Sequence, residues 1–88
     1  MRIWAKIFSE NRMLRDMVIQ NEDPQTTRTK KIFAALDEVC LAFDLSVPLW
    51  LDANIAEFKR HAKTRFRQDS FVDSIDFDFL ELQVIEED

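Results

Sequence analysis

The segment F-L-E-L-Q-V-I, residues 79–85, is apolar on both sides of an extended chain. Successive side chains of a β-strand point to opposite faces, so Leu80, Leu82 and Val84 would share one face and the neighbouring phenylalanines the other. A strand that is apolar on both faces belongs in the interior of a sheet or beneath an element that covers its second side. The segment therefore predicts a sheet built on a C-terminal strand, which we expect to begin near Phe77.

A β-hairpin is predicted at the N-terminus of the chain. Residues 2–8 alternate and are rich in aromatic and β-branched side chains, which is typical of a strand. Residues 9–12 are polar and favour a turn, since Asn11 tolerates a positive φ better than its neighbours do. Residues 13–20 then form the returning strand.

The register of this hairpin stays open at the level of sequence. A four-residue turn sets Lys6 opposite Arg15, which is unfavourable because like charges repel across a strand pair. A shift of one residue sets Lys6 opposite Asp16 instead. In either register both faces of the hairpin carry large apolar side chains.

A first helix is predicted after the loop that contains Pro24. Thr26 or Thr27 would cap it, and it would run to about Phe43. Its buried stripe has the three-and-four spacing of an amphipathic helix. The stripe consists of Ile32, Leu36, Val39, Cys40 and Phe43.

A second helix is predicted from Pro48 or Asp52 through His61, because the residue before a proline avoids helical dihedrals and marks a corner. Its expected buried residues are Leu49, Trp50 or Leu51, Ile55 and Phe58. Ser70 and Asp73 have the spacing of a capping box and predict one short helical turn, with Phe71, Val72 and Ile75 on its inner side.

The expected architecture is a single α+β domain over residues 1–88. It comprises the N-terminal β-hairpin, two main helices, the short helical turn and the C-terminal strand, giving a three-stranded sheet with the helices on one face. The basic stretch K-T-R-F-R-Q, residues 63–68, is interpreted as an irregular connection. With 47% hydrophobic residues and eight Phe, the chain can build a core without disulfides.

Composition argues against several classes of function. The chain contains no glycine, so the glycine-rich loops that bind phosphates, dinucleotides or calcium are absent. The single cysteine, Cys40, excludes an internal disulfide and is typical of a reducing compartment. No signal-peptide core and no membrane-length apolar segment occurs. We therefore expect a cytoplasmic domain with no membrane association, no cofactor and no small-molecule ligand.

The residues that could support catalysis or metal binding form weak patterns. Asp73, Asp76 and Asp78 are the only closely spaced carboxylates, and a hard cation needs six or more converging oxygens. Cys40 falls in the apolar stripe of the first helix, whereas His61 lies among basic residues near the end of the second. The sequence therefore predicts neither a metal site nor an enzyme.

Two surfaces are candidates for binding, and the first is apolar. Trp4, Phe8, Met13 and Met17 would share the hairpin face that the helices leave uncovered. Monomeric proteins rarely expose such a patch. Self-association as a homodimer or a protein partner would cover it; the alternative is that the last helical turn, or the loop around Trp50, folds over it.

The second candidate surface is basic, within residues 58–67. It consists of Lys59, Arg60, Lys63, Arg65 and Arg67, with Phe58 and Phe66 interleaved. Such a segment can bind phosphates and stack on bases, although a chain with a pI near 4.8 is repelled by nucleic acid.

Residues 69–88, in contrast, contain eight carboxylates and no basic residue. They could pair internally with the bases of the chain. Alternatively they could mimic nucleic acid on another protein, in which case Asp76, Asp78 and Glu81 would take part.

Two stretches, V-P-L-W-L-D-A-N-I-A-E-F-K-R-H (residues 47–61) and S-I-D-F-D-F-L-E-L-Q-V-I-E-E-D (residues 74–88), resemble segments of small uncharacterised bacterial proteins. The resemblance covers much of the chain and implies no activity, partner or residue role. The sequence thus favours a non-enzymatic protein-interaction domain, with nucleic-acid binding or acidic mimicry as the alternatives.

Overall fold

The computed structural model describes every residue from Met1 to Asp88 and consists of a four-stranded antiparallel sheet with two helices. The strands pair in the order β2-β1-β4-β3. In chain order the elements are β1 (Arg2–Ser9), β2 (Arg12–Gln20), α1 (Arg28–Phe43), α2 (Asp52–His61), β3 (Lys63–Phe66), a 3₁₀ turn (Gln68–Ser70) and β4 (Phe79–Glu86).

The α+β class and the two helices are confirmed, but the predicted count of three strands is wrong. The fourth strand is β3, which lies within the stretch that we expected to be irregular and pairs with β4 from Lys63↔Gln83 to Phe66↔Leu80. Its inward side chains, Thr64 and Phe66, are fully buried. The alternation in K-T-R-F spans only four residues, and its outward side chains are bases, so it was indistinguishable from a basic loop.

Of the two placements that the sequence left open for the C-terminal strand, the structure has the interior one, since β4 lies between β1 and β3. Leu80, Leu82 and Val84 join the inward side chains of β1 and the buried faces of the helices in one hydrophobic core. The strand begins at Phe79, two residues later than expected. Phe77 is buried ahead of it and packs edge-to-face on Phe71.

The hairpin adopts the register in which Lys6 pairs with Asp16. Its connection has only two residues, Glu10 and Asn11, with φ of 52° and 65°. Positive φ at both central residues is the signature of a type I′ turn, whose twist matches that of the flanking strands. A bulge opposite the Ile7–Phe8 step then adds one residue to β2 and increases the local twist.

Helix α1 agrees with the prediction in both its bounds and its buried stripe. The hydroxyl of Thr27 accepts a hydrogen bond from the backbone N–H of Lys30 and caps the N-terminus. The predicted apolar positions are all buried. Asp44 ends the helix in the left-handed conformation, with φ of 58°.

Helix α2 packs on β3 through a polar contact that the apolar pattern did not reveal. The side-chain amide of Asn54 donates to the hydroxyl of Thr64 (2.9 Å) and to the carbonyl of Arg65 (3.0 Å). Asn54 is therefore buried, while the predicted core residues Leu49 and Ile55 are 57% and 40% exposed. The expected burial of those two residues is wrong.

The short helical turn also lies earlier than predicted, at Gln68–Ser70, and Val72 is exposed rather than inside. Ser70 is nevertheless buried, and its hydroxyl donates to the Oδ1 of Asn54 (3.3 Å). The turn therefore belongs to the same polar network as α2 and β3. Neither α1 nor α2 combines the length and the apolar character that crossing a membrane requires.

Candidate interaction surface on the open face of the sheet

The side of the sheet turned away from the helices is called here the open face. Side chains on this face alternate with the inward-facing core residues along each strand. The open face comprises Trp4, Lys6 and Phe8 from β1, Met13, Asp16 and Val18 from β2, Lys63 and Arg65 from β3, and Phe79, Glu81 and Gln83 from β4.

Aromatic side chains form the middle of the open face. The rings of Phe8 and Phe79 stack across the β1–β4 pair with centroids 5.2 Å apart. Trp4 lies beside Lys6, whose Nζ is 3.8 Å from the indole centroid, and its Nε1 donates to Asp16 (2.9 Å). These contacts hold the rings in fixed orientations, which reduces the conformational entropy that a binding partner would have to remove.

A charged cluster lies among the aromatic rings. The Nζ of Lys6 donates to Glu81 and to Gln83, both at 2.9 Å, and the Nε of Arg65 donates to the other oxygen of Glu81 (3.1 Å). Lys6 and Glu81 are both buried, although they lie on the side without helices. Burial acts to raise the pKa of Glu81, but its two basic partners together outweigh this effect and lower the pKa below its usual value.

Three of the four residues predicted for the apolar interface lie on the open face. Trp4 and Phe8 are half-buried, and Met13, which pairs with Phe8, is 47% exposed. Met17 lies on the other face, because it pairs with Ala5 and packs against the core. Val18, which pairs with Trp4 and is 42% exposed, occupies the corresponding position on the open face.

The loop around Trp50 does not cover this surface. Trp50 packs edge-to-face on Phe58 and Phe66, with centroid distances of 5.5 and 4.9 Å, and both of those residues belong to the core on the helix side of the sheet. The short turn Gln68–Ser70 also lies on the helix side, since Ser70 bonds to Asn54 of α2, so neither of the two predicted covers lies over the open face.

The five residues of the predicted basic patch do not form one surface. Lys59 and Arg60 lie in the last turn of α2, on the helix side. Lys63 and Arg65 point to the open face, where Arg65 lies 4.5 Å and Arg67 lies 5.7 Å from the Phe79 ring. The interleaved aromatic residues of the segment, Phe58 and Phe66, are buried and inaccessible to a base.

Half of the carboxylates in residues 69–88 are paired with bases of the same chain. Besides Glu81, these pairs are Arg2–Glu86 (3.8 Å), Arg28–Glu87 (2.9 Å) and Lys31–Asp88 (2.7 Å). Asp88 also contacts the α-amino group of Met1. The hydrogen bonds from Arg28 and Lys31 lower the pKa values of Glu87 and Asp88. Only Arg65 from the basic segment takes part in this pairing.

The residues considered for catalysis are separated in the fold. Cys40 is buried in the core, where burial and the nearby charge of Asp37 raise the pKa of its thiol to about 11. His61 is exposed at the end of α2. No group of three or more His, Cys, Asp or Glu side chains converges as a metal site would require. Asp78 instead accepts a hydrogen bond from the backbone N–H of Glu10 (2.8 Å) in the hairpin turn.

A groove between α1 and α2 was not predicted from the sequence. Its volume is about 240 Å³, and it is lined by Arg28, Thr29, Ile32, Phe33, Trp50, Ile55, Phe58 and Lys59. Ile55 and Phe33 line this groove and are 40% and 48% exposed, and the Phe33 ring meets the Trp50 ring edge-to-face with centroids 5.8 Å apart. The only sign of this groove in the sequence was that Phe33, a large apolar residue of α1, lies outside the buried stripe of that helix.

Comparison of the chain with protein-family models, with curated proteins and with solved structures found no match. The resemblance to small bacterial proteins therefore stays a prediction.

Proposed function

We propose that this chain is a non-enzymatic protein-interaction domain that binds through the open face of its sheet, to a second copy or to another protein. The observation that carries the proposal is the set of partly exposed apolar side chains on that face, Trp4, Phe8, Met13 and Val18, which neither of the two predicted covers reaches. A cytoplasmic location belongs to the same proposal, since the one thiol is free and buried.

The chemistry of the face supports this proposal. Interface centres are enriched in aromatic residues, Met and Arg, and fully buried anchors of these types carry most of the binding energy. Trp4 and Phe8 supply two such anchors, and Arg65 lies against the neighbouring Phe79 ring. The charged groups at the centre already pair with one another, so a partner can cover them without leaving an unpaired charge.

The substitution Trp4→Glu tests the proposal. The expected result is loss of association by at least about tenfold, because an aromatic anchor is replaced by a charge in a desolvated position. Helix content should persist, since the helices pack on the opposite side of the sheet. Sedimentation equilibrium over a range of protein concentrations measures association, and circular dichroism measures helix content and the melting temperature.

A matched control is Leu41→Glu, which places the same charge on an apolar residue of α1 that is 83% exposed on the helix side. It should alter neither mass nor melting temperature. The proposal is contradicted if Trp4→Glu lowers the melting temperature as much as a core substitution does while the mass stays the same. Trp4 would then contribute to the stability of the monomer alone.

Nucleic-acid binding is the second candidate, and one arrangement favours it. Arg65 and Arg67 lie over the Phe79 ring, which stacks on Phe8, so two arginine side chains and two aromatic rings meet on one surface of the sheet. Single-stranded nucleic acid binds to such combinations by stacking and by phosphate contacts. Titration of the protein into a fluorescent single-stranded oligonucleotide at low salt measures this binding, which Arg67→Ala should weaken. Absence of binding at low salt would exclude this candidate.

A further inference from the structure

Strand β2 is an open edge of the sheet. It pairs only with β1, and all of its residues except Met17 and Ile19 are exposed. Exposed edge strands pair with other chains unless proline, inward charges, bulges or a covering segment prevent it. β2 contains no proline, and its one bulge lies near the turn and leaves Arg15–Gln20 regular. The one charge that this regular part carries on the helix side, Arg15, lies over the Phe43 ring of its own chain, 4.4 Å from the ring centroid.

The hydrogen-bonding direction of each β2 residue follows from the end of the β1–β2 ladder. Met1 and Asn21 exchange both main-chain hydrogen bonds, at 2.9 and 3.0 Å. Hydrogen-bonded and non-hydrogen-bonded pairs alternate along an antiparallel ladder, and the register is unbroken from Arg2↔Gln20 to Ile7↔Arg15. The odd-numbered residues of this part of β2 therefore bond to β1. The main-chain N–H and C=O groups of Asp16, Val18 and Gln20 therefore point away from β1, in the plane of the sheet, toward the unpaired edge.

The other side of the sheet agrees with this assignment. The N–H of Val84 donates to the carbonyl of Ala62 (2.9 Å), so the even-numbered residues of β4 are directed toward β3. The odd-numbered ones, among them Gln83, are then directed toward β1, where Gln83 pairs with Trp4. Even-numbered residues of β1 thus bond to β4, which leaves its odd-numbered residues for β2.

Only one symmetric pairing of this edge with a second copy matches charge and apolarity together. A two-fold axis perpendicular to the sheet keeps the helices of both copies on one side. When that axis passes through Val18, Val18 lies opposite itself, Met17 lies opposite Ile19, and Asp16 lies opposite Gln20. This pairing places apolar next to apolar and a carboxylate next to an amide.

The two neighbouring registers are less favourable. An axis through Met17 sets Arg15 opposite Ile19, a charge against an aliphatic residue. An axis through Ile19 sets Asp16 opposite Glu22, and like charges directly opposite each other are destabilising. Axes through Asp16 and through Gln20 set Asp16 opposite itself and Val18 opposite Glu22, respectively, so the segment is complementary to itself only about Val18.

The opposite edge of the sheet lacks this property. β3 has four residues, and its outward side chains are Lys63 and Arg65. Self-pairing would bring bases of the same sign together. A short, basic edge is one of the features by which proteins avoid pairing.

We propose that the edge of β2 pairs antiparallel with the same edge of a second copy, about a two-fold axis through Val18, to give a continuous eight-stranded sheet. This pairing goes beyond the proposed function, because it joins two copies through the main chain of β2 and leaves the side chains of the open face free for a partner. The side-chain row Trp4–Val18 then continues into the row of the second copy and doubles the apolar area of the open face.

The substitution Val18→Pro tests the pairing selectively. The N–H of Val18 points outward, so proline removes no hydrogen bond between β1 and β2, and proline is tolerated at such positions of edge strands. It removes two reciprocal hydrogen bonds at the centre of the dimer. The expected result, measured by sedimentation equilibrium, is a dissociation constant raised by more than about tenfold. The mass should fall from twice the 10.5 kDa of one chain toward that value.

Val18→Thr is the matched control, because threonine is β-branched, similar in size and keeps its N–H. It should stay dimeric. If the wild-type chain is monomeric at every concentration, or if Val18→Pro associates as the wild type does, the inference is overturned. Dissociation by Trp4→Glu together with an unaffected Val18→Pro would overturn the edge pairing and leave the proposed function standing.

A second measurement applies if Val18→Pro does not fold. In the proposed register the two Cα atoms of residue 18 in a hydrogen-bonded pair lie about 5.5 Å apart, within the range of a disulfide. Val18→Cys should therefore form an interchain disulfide under mild oxidation, while Met13→Cys, equally exposed on the same strand, should not. The native Cys40 is buried and does not compete. Absence of the Val18→Cys cross-link, or equal cross-linking of both variants, would overturn the inference.

Discussion

Replacing Glu81 with leucine should destabilise the domain because it leaves the Lys6 ammonium buried beside an apolar side chain. In the wild type the two groups are 2.9 Å apart, with side-chain exposures of 10% and 6%. Removing one member of a buried ion pair costs about 3–5 kcal/mol. Lys6 keeps two other contacts, the Oε1 of Gln83 at 2.9 Å and the Trp4 ring at 3.8 Å. We therefore expect the lower end of that range, about 3 kcal/mol.

The double variant Lys6→Met/Glu81→Leu should recover most of this loss. Replacing both members of a buried pair by apolar side chains of similar volume is often neutral or stabilising, so we expect a free energy of unfolding within about 1 kcal/mol of the wild type. The matched control is Glu86→Gln, which removes a pair with Arg2 that is 3.8 Å long and exposed. Exposed pairs contribute at most about 1 kcal/mol.

Urea unfolding followed by circular dichroism measures the free energies of unfolding of the wild type, the single variants Glu81→Leu and Lys6→Met, the double variant and the Glu86→Gln control. For a chain of this size, 3 kcal/mol corresponds to a decrease in Tm of about 12–24 °C. Two results would refute the reasoning. One is a Glu81→Leu variant as stable as the Glu86→Gln control, and the other is a double variant whose loss equals the sum of the two single losses.

The pH dependence provides an independent test of the same pair. Because Lys6 and Arg65 lower the pKa of Glu81 in the folded state, its contribution to stability is complete above the unfolded value of 4.5. That contribution is lost as the pH falls through the folded pKa. The stability difference between the wild type and Glu81→Gln should therefore shrink on acidification below about pH 4.5. A difference that is constant across this window would exclude ionisation of Glu81 as its source.

Two further predictions concern the helices. Ala62→Gly should raise the free energy of unfolding by about 1 kcal/mol, as measured by urea unfolding. Ala62 ends α2 in the left-handed conformation with φ of 55°, and glycine adopts this conformation without the steric cost that a Cβ brings. An unchanged or lower stability would contradict this prediction. Cys40, with a thiol pKa of about 11 and a buried side chain, should react with a thiol-specific disulfide reagent at pH 8 only at the rate at which the chain unfolds, so a fast reaction in the absence of urea would contradict its placement in the core.

The parts of the fold that follow from local patterns could be predicted from the sequence. The buried stripe of α1 recurs along the helix, and a threonine precedes its first turn as a cap. The apolar residues on both faces of β4 indicate an interior strand without reference to any neighbour. β3 could not be predicted in this way, because its four residues reveal an inward face only when β4 supplies the partner that buries Thr64 and Phe66.

The residues of the open face were predicted only in part, because the register of the hairpin stayed open at the level of sequence. Trp4, Phe8 and Met13 share it in the structure, but the choice between Met17 and Val18 depends on a one-residue shift of the hairpin. That shift arises at the bulge opposite the Ile7–Phe8 step, because Ser9↔Arg12 and Phe8↔Met13 beside the turn still follow the unshifted register. The local pattern of residues 13–15 does not mark the extra residue. The like-charge argument at Lys6 was the only signal that favoured the observed register.

The position of β1 between β2 and β4 also determines the order in which the protein can fold. The β1–β2 ladder closes across a two-residue turn, whereas β1 and β4 pair residues as distant as Ile3 and Val84. Contacts between residues so far apart in sequence form late, because the entropy of loop closure must be lost before they contribute. We therefore expect the hairpin to form first, with one edge of β1 unpaired and its three inward side chains in water, and the docking of β4 to limit the folding rate. During that interval the unpaired edge is open to strands of other chains, so the yield of refolding should fall as the protein concentration rises.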